Sequence, residues 1–361
     1  MAKRGGPASR SGHGRRRYLR WLAVFVVLAL TFEYVVLPQL AGTENVLKSL
    51  SRLPPFLMIG ALCLQVGSWL SYSALTSVVL PGSARPSYFT LIRIDLCDSA
   101  VNHVVPGGGT TSAAARYRLL TLAGVPPREA LSAATIQTLG AYLILGALFG
   151  VGLVFMAGQV SVNRNYAVAG AVVLVLFGVA LVLLVLLGRH LDAAVRVARA
   201  VARAVPRLHP DGAERFVRTV AGETRIFHAE PRRSAEGIGL ATLRWVLDAA
   251  SLWVLLAAFG HQVGAGQLIV AYCLANLVAM VPLTPGGVGL VEGLLVPTLT
   301  GFGTPAGVAV LGVLSWRILQ YWLPIPVGAL AYLTLRLGVL RHAARRPRGI
   351  VLPGAGGTRR S

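Results

Sequence analysis

The chain has 361 residues, 55% of them hydrophobic and 13% charged, and a net charge of +21. Soluble domains carry about 25% charged residues, and one core does not hide this many long apolar runs, so an ordinary soluble enzyme is excluded. A nucleic-acid binder is excluded too: no base-reading or stacking motif accompanies the charge, and 24 of the 34 basic residues lie in or close to three polar segments beside apolar runs.

Those three segments organise the chain. Residues 1–19 form a Gly-, Ser- and Arg-rich tail of disordered composition. A first membrane half occupies residues 20–188, a basic insertion 189–236, a second membrane half 237–340, and a polar tail 341–361. The positive-inside rule places the N-terminal tail, the insertion and the C-terminal tail in the cytoplasm. The run at 20–40 is too long for a signal-peptide core and no small-residue cleavage site follows it, so it reads as a first span.

In chain order, the second span is expected at 54–80. An apolar stretch at 88–122 is broken by charges and by Pro106, Gly107, Gly108 and Gly109. Spans follow at 130–157 and 165–188. In the insertion, LDAAVRVARAVARAVP puts Arg196, Arg199 and Arg203 on one helical face and Val195, Ala198 and Ala202 on another, the pattern of a short basic helix lying on an anionic leaflet or of a solvated connector. The second half holds a span at 237–259, an interrupted stretch at 266–300, and a last stretch at 304–338 that Pro324 and Pro326 kink or split. The fold class is therefore an all-α polytopic membrane protein with about 6 to 8 membrane segments. Two of these are Gly/Pro-broken or re-entrant helices, one in each half, and they suggest an inverted repeat. Unwound backbone at membrane depth is tolerated only where it is buried in protein or lines a wet cavity. Cys63, Cys97 and Cys273 each lie in an apolar run and read as packing residues.

The first break supplies the first candidate site. Asp95, Asp98, Ser99, Asn102 and His103 fall on one helical face of an otherwise apolar segment. Acids at membrane depth cost at least about 2.5 kcal/mol, so this face must meet water, protein or ligand. The Asp95-x-x-Asp98 spacing is also that of a divalent-metal pair, but no second acidic motif supports it, and neither metal nor cofactor is expected. After the break, Thr110, Thr111 and Ser112 are suited to cap a new helix. Its free N–H groups attract anions, and Arg116 and Arg118 stand ready to add countercharge to a phosphate.

The second break reads Pro282, Leu283, Thr284, Pro285, Gly286, Gly287, Val288, Gly289, and opens a helix carrying Glu292. Arg317 in the last span is the expected partner of Glu292, because an isolated charge there is far costlier than a pair. Arg244 and Asp248 stand at i, i+4 and are expected to pair locally.

The phrase VPLTPGGVGLVEG with the downstream Trp316-Arg317, together with residues 102–106 and Arg116, resembles the flippase-like transmembrane family of lysylphosphatidylglycerol synthases over roughly residues 20–340. Members of that family often carry an acidic residue just after the first Gly turn, where this chain has Gly109 and Thr110. The resemblance implies a stand-alone membrane part. The chain ends at Ser361 with no room for a soluble aminoacyl-transferring half, so lysylphosphatidylglycerol synthase activity is not expected. It implies a flippase-like translocator of an anionic phospholipid or a polyprenyl phosphate carrier across the cytoplasmic membrane. The competing readings are a membrane-embedded lipid-modifying transferase and a non-catalytic partner in cell-envelope biogenesis. The head-group site is expected to combine Asp95, Asp98, Asn102, Gly107, Gly108, Gly109 and Arg116 with Pro285, Gly286, Gly287, Glu292 and Arg317.

Overall fold

A computed structural model describes residues 54–82, 85–105, 108–157, 195–196, 199, 218, 231–280 and 284–337. Of two compact units, 1–54 and 55–361, nearly all of these belong to the second. The expected spans at 20–40 and 165–188, both tails, Pro106 and Gly107 lie outside the described residues, as does most of the insertion. Within the insertion, Val195 is buried while Arg196 and Arg199 are helical and exposed, which is the expected sidedness.

Among the described residues the secondary structure is helical throughout. The helices are α1 (Pro55–Val79), α2 (Tyr88–Val104), α3 (Gly108–Leu122), α4 (Pro127–Ala157), α5 (Pro231–Ala258), α6 (Ala265–Ala279), α7 (Leu290–Gly301), α8 (Ala306–Arg317) and α9 (Pro324–Leu337). Four of them begin on proline: α1, α4, α5 and α9. The ring presets the helical φ, and the missing N–H would have had no intrahelical partner there. α1, α4, α5 and the continuous stretch Ala306–Leu337 are each long and apolar enough to cross a membrane. Large apolar side chains stay exposed on them, such as Phe56 on α1, Val154 and Phe155 on α4 and Leu330 on α9, as expected where the solvent is hydrocarbon. The protein is an all-α polytopic membrane protein.

The last stretch is interrupted as its prolines require. Pro324 has no N–H to give, and the residues before it widen into a π turn over Ile318–Trp322, with Leu323 N–H reaching Ile318 O at 2.9 Å. This turn puts Gln320 and Tyr321 beside Arg317.

The helix contacts follow an exchange pattern. α1 packs along α5; α2 packs on α9 as α6 packs on α4; α2 is joined to α3 as α6 is to α7; α3 meets α4 as α7 meets α8. Swapping the first four helices for the last five preserves these pairings, as a pair of related halves requires. The α2–α9 contact is close because Gly328 has no side chain: a Cβ there would stand 2.4 Å from Leu96 O and 2.6 Å from the Ala100 Cβ. At the end of α1, the Val78 and Val79 carbonyls lack intrahelical partners and accept from the Arg233 guanidinium of α5 at 2.7 and 3.1 Å. The C-terminal end of α1 and the N-terminal end of α5 thus lie together.

Candidate functional site

Each of the nine described helices contributes at least one lining residue to a single cavity of about 230 Å³. Both breaks reach it. Asp95, Asp98, Ser99, Asn102, His103, Gly109, Ser112 and Arg116 line it from the first; Thr284, Gly286, Gly287 and Arg317 line it from the second. The polar face deduced for α2 is therefore the face that α2 turns to the cavity.

Arg116 is the hub of the first break. Its Nη2 lies 2.6 Å from Asp95 Oδ1 and 2.7 Å from Thr76 Oγ1, and its Nη1 donates to the Tyr72 hydroxyl and stands 3.6 Å from Asp98 Oδ2. Thr76 Oγ1 donates to Asp95 Oδ2 at 2.8 Å and accepts from Gln137 Nε2 at 2.8 Å. Four helices are pinned by this network: Tyr72 and Thr76 on α1, the two acids on α2, Arg116 on α3 and Gln137 on α4. Arg116 was expected to stand free for a phosphate; two carboxylates already answer its charge. The Asp95-x-x-Asp98 pair in turn is spent on a shared guanidinium. α3 starts at Gly108, so Thr110 and Thr111 fall inside its first turn rather than ahead of it, and Ser112 Oγ bonds back to Gly109 O at 3.2 Å.

At the second break the chain turns through Gly286, Gly287 and Gly289, with φ of 55°, 71° and 81°. L-residues with side chains rarely adopt this region. Space excludes a side chain as well: a Cβ on Gly286 would lie 2.5 Å from Tyr321 Cε2 and 2.8 Å from His103 Cδ2. The two breaks thus touch, since His103 closes α2 just before the first and Gly286 forms the second. Tyr321 seals the contact: its hydroxyl donates to His103 O at 2.7 Å, and the two rings lie 4.6 Å apart.

The expected pairing of Glu292 with Arg317 is present, Arg317 Nε standing 2.6 Å from Glu292 Oε1. Arg317 also donates to Gln320 Oε1 at 3.0 Å and to Gly286 O at 3.4 Å, and its guanidinium lies 4.5 Å from the Tyr321 ring centre. Glu292 Oε2 accepts from Gly289 N–H at 2.8 Å. One of the N–H groups that the break leaves for an anion is therefore already capped by the helix's own acid.

The local Arg244–Asp248 pair does not form. Asp248 accepts from the Tyr272 hydroxyl and, at 3.3 Å, from Trp316 Nε1, which ties α5 to α6 and α8. Arg244 instead lies against two rings, 4.1 Å from the Tyr72 centre and 4.6 Å from the Trp245 centre. Among the described residues no carboxylate lies within ion-pair distance of it and no hydrogen-bond acceptor meets its guanidinium, yet it lines the cavity. The side chain is half-buried. Nearby buried atoms are also without partners: Asp98 Oδ1, His103 Nδ1, Gln137 Oε1, Trp245 Nε1 and Thr284 Oγ1, all on lining residues. Buried polar groups are normally satisfied, so the cavity wall is a set of donors and acceptors with capacity to spare.

Several of these residues escaped sequence reasoning: Tyr72, Thr76, Gln137 and Trp245. A signal existed on α1, where Gln65, Ser68, Tyr72 and Thr76 recur at helical spacing along one face of an apolar span. Gln137 and Trp245 carry no comparable mark.

The sequence profile described as "Lysylphosphatidylglycerol synthase TM region" matches residues 20–328. Among curated proteins, a "UPF0104 membrane protein" of Methanothermobacter thermautotrophicus is 26% identical over 172 residues, 46% of this chain and 50% of that protein. Another alignment with a protein of that description and organism is 23% identical over 330 residues, 87% of this chain and 91% of the relative. "Inner membrane protein YbhN" of Escherichia coli is 24% identical over 96 residues, 27% of this chain and 30% of the relative. In the first of these alignments the chain spans half the length of the relative.

Proposed function

From the premise that the chain belongs to the family of the lysylphosphatidylglycerol synthase transmembrane region, we propose that it translocates an anionic lipid, a phospholipid or a polyprenyl phosphate, across the cytoplasmic membrane. The head group enters the cavity between the two breaks. The termini and the insertion at 189–236 lie on the cytoplasmic side, where the basic residues concentrate.

The observation that carries this reading is Arg244. Among the described residues three guanidinium groups line the cavity, and two are matched to acids: Arg116 to Asp95 and Asp98, Arg317 to Glu292. Arg244 is matched to none, and is held in place by the Tyr72 and Trp245 rings. A cation at membrane depth is costly without a partner, and an entering phosphate supplies one, in a geometry guanidinium groups favour. Asn102, Gln320 and Thr284 add neutral hydrogen-bonding capacity around it. Asp95, Arg116, Glu292 and Arg317 then hold the breaks open, and Gly286 and Gly287 let the backbone approach.

The test is translocation of fluorescent phosphatidylglycerol and of a fluorescent short polyprenyl phosphate in reconstituted vesicles. Wild type should move at least one of them faster than protein-free vesicles do. Arg244→Ala, by removing a charge-assisted contact, should slow it by about 10- to 100-fold while the protein stays folded. Wild-type rates in the variant, or no acceleration by wild type, would sink the proposal.

A further inference from the structure

A second cavity, of about 170 Å³, lies between α4, α5 and α6. Leu148 walls it from α4, Val246 and Ala250 from α5, Ile269 and Cys273 from α6. Three aromatic residues complete it, and two have their polar tips tied elsewhere. Tyr272 gives its hydroxyl to Asp248, and Trp253 Nε1 donates to Val263 O at 2.9 Å. The slot therefore offers carbon almost throughout. Val246 and Trp253 at its edge are exposed, so it opens outward on a protein whose surroundings are hydrocarbon.

The two cavities share one wall, because Trp245 lines both. Its ring lies 4.6 Å from the Arg244 guanidinium and packs edge-on against Tyr272, with ring centres 6.2 Å apart. Trp245 thus touches the unmatched cation on the side of the polar cavity and walls the apolar slot as well, and the small residues Ala249 and Ala250 line the slot between Trp245 and Trp253 on α5. A lipid has this same arrangement: a charged group joined to hydrocarbon through a few bonds.

We infer that this groove seats one hydrocarbon chain of the lipid whose head group enters the polar cavity, with Trp245 the wall between the two parts. The inference rests on the head-group reading above and adds a second, independent contact. Seating a chain there replaces loose contacts with bilayer hydrocarbon by fixed packing contacts and sets the lipid's direction of entry, between α4 and α6 along α5.

The experiment compares dihexanoyl with dioleoyl phosphatidic acid, binding to the full chain in detergent. The variants are Ala250→Phe and Ala265→Phe, two fillings of the groove from different helices, and Arg244→Ala. Wild type should prefer the long-chain lipid. Each filling should weaken dioleoyl binding by about tenfold, because the added ring takes the space and the packing contacts of the chain, and leave dihexanoyl binding unchanged. Arg244→Ala should weaken both lipids. If both fillings leave dioleoyl binding as in wild type, or weaken both lipids equally, the groove holds no chain. If instead Arg244→Ala binds both lipids normally, the head-group reading fails, whatever the fillings do.

Discussion

The two breaks are built from similar local sequence, a Pro/Gly turn followed by a short helix, yet their charges are balanced differently. At the first, one buried guanidinium faces two carboxylates, with Arg116 3% and Asp95 3% exposed at their side chains. At the second, the count is one to one, Glu292 keeps a 13% exposed side chain, and Arg317 has Gln320, Gly286 O and the Tyr321 ring as further company. The surplus acid at the first break is close in space to the surplus cation: Arg116 and Arg244 both lie over the Tyr72 ring, at 4.7 and 4.1 Å from its centre. The second break is fastened by a one-to-one clasp between α7 and α8, the first by two acids that share one guanidinium, and both line the cavity. Similar turns thus carry two different charge balances beside one cavity.

The comparison breaks most visibly at Asp95. Asp95→Ala removes the nearest acid from a guanidinium only 3% exposed, leaving it Asp98 at 3.6 Å and the Tyr72 and Thr76 hydroxyls, and should cost about 3 to 5 kcal/mol in detergent unfolding equilibria. A loss below that of the Glu292 variant would reverse the assignment of the first break as the more deeply committed pair. Next comes the turn. Gly286→Ala forces a positive φ on a residue with a Cβ and drives that Cβ into Tyr321 and His103, for about 2 to 4 kcal/mol. Thermal unfolding would show it, and an unchanged midpoint would mean that the two breaks do not touch there.

Glu292→Ala should cost less, about 1 to 3 kcal/mol, because its pair is less deeply buried, the Glu292 side chain being 13% exposed against 3% for Asp95. A double-mutant cycle with Arg317→Ala should show that the second removal costs much less than the first; strictly additive losses would deny the pair. The smallest stability effect belongs to Arg244→Ala. It gives up ring contacts at a half-buried site, about 1 kcal/mol or less, while lipid translocation falls sharply. A large stability loss would show that Arg244 is structural and blur the contrast between matched and unmatched cations.

Much of the architecture was legible because it is local. Proline and glycine act through the backbone of the residue itself, so the break at Pro324 and the turn at Gly286 could be read one at a time, whereas the spans expected at 130 and 237 begin earlier, on Pro127 and Pro231. The polar face of α2 was legible for the same reason: helical periodicity is a property of one segment. Pairing fared unevenly. Glu292 and Arg317 were matched by elimination in a region poor in other charges. Arg244 and Asp248 were matched by proximity along the chain, and that failed because Tyr272 and Trp316, from two other helices, reach Asp248 first.

The sequence by itself determined the class of the protein, a chain of long apolar helices with basic segments beside them and a glycine-rich interruption in each half, since hydropathy and backbone preference are summed along the chain. Only the tertiary structure decided which cation is left unmatched. Tyr72, Asp95, Arg116, Gln137 and Arg244 come from five helices, and whether a charge is answered depends on distances of a few ångströms between helices whose relative placement no segment encodes alone. The same holds for the groove beside Trp245: its walls are ordinary apolar residues on α4, α5 and α6, and what makes them a slot is the space left when three helices pack.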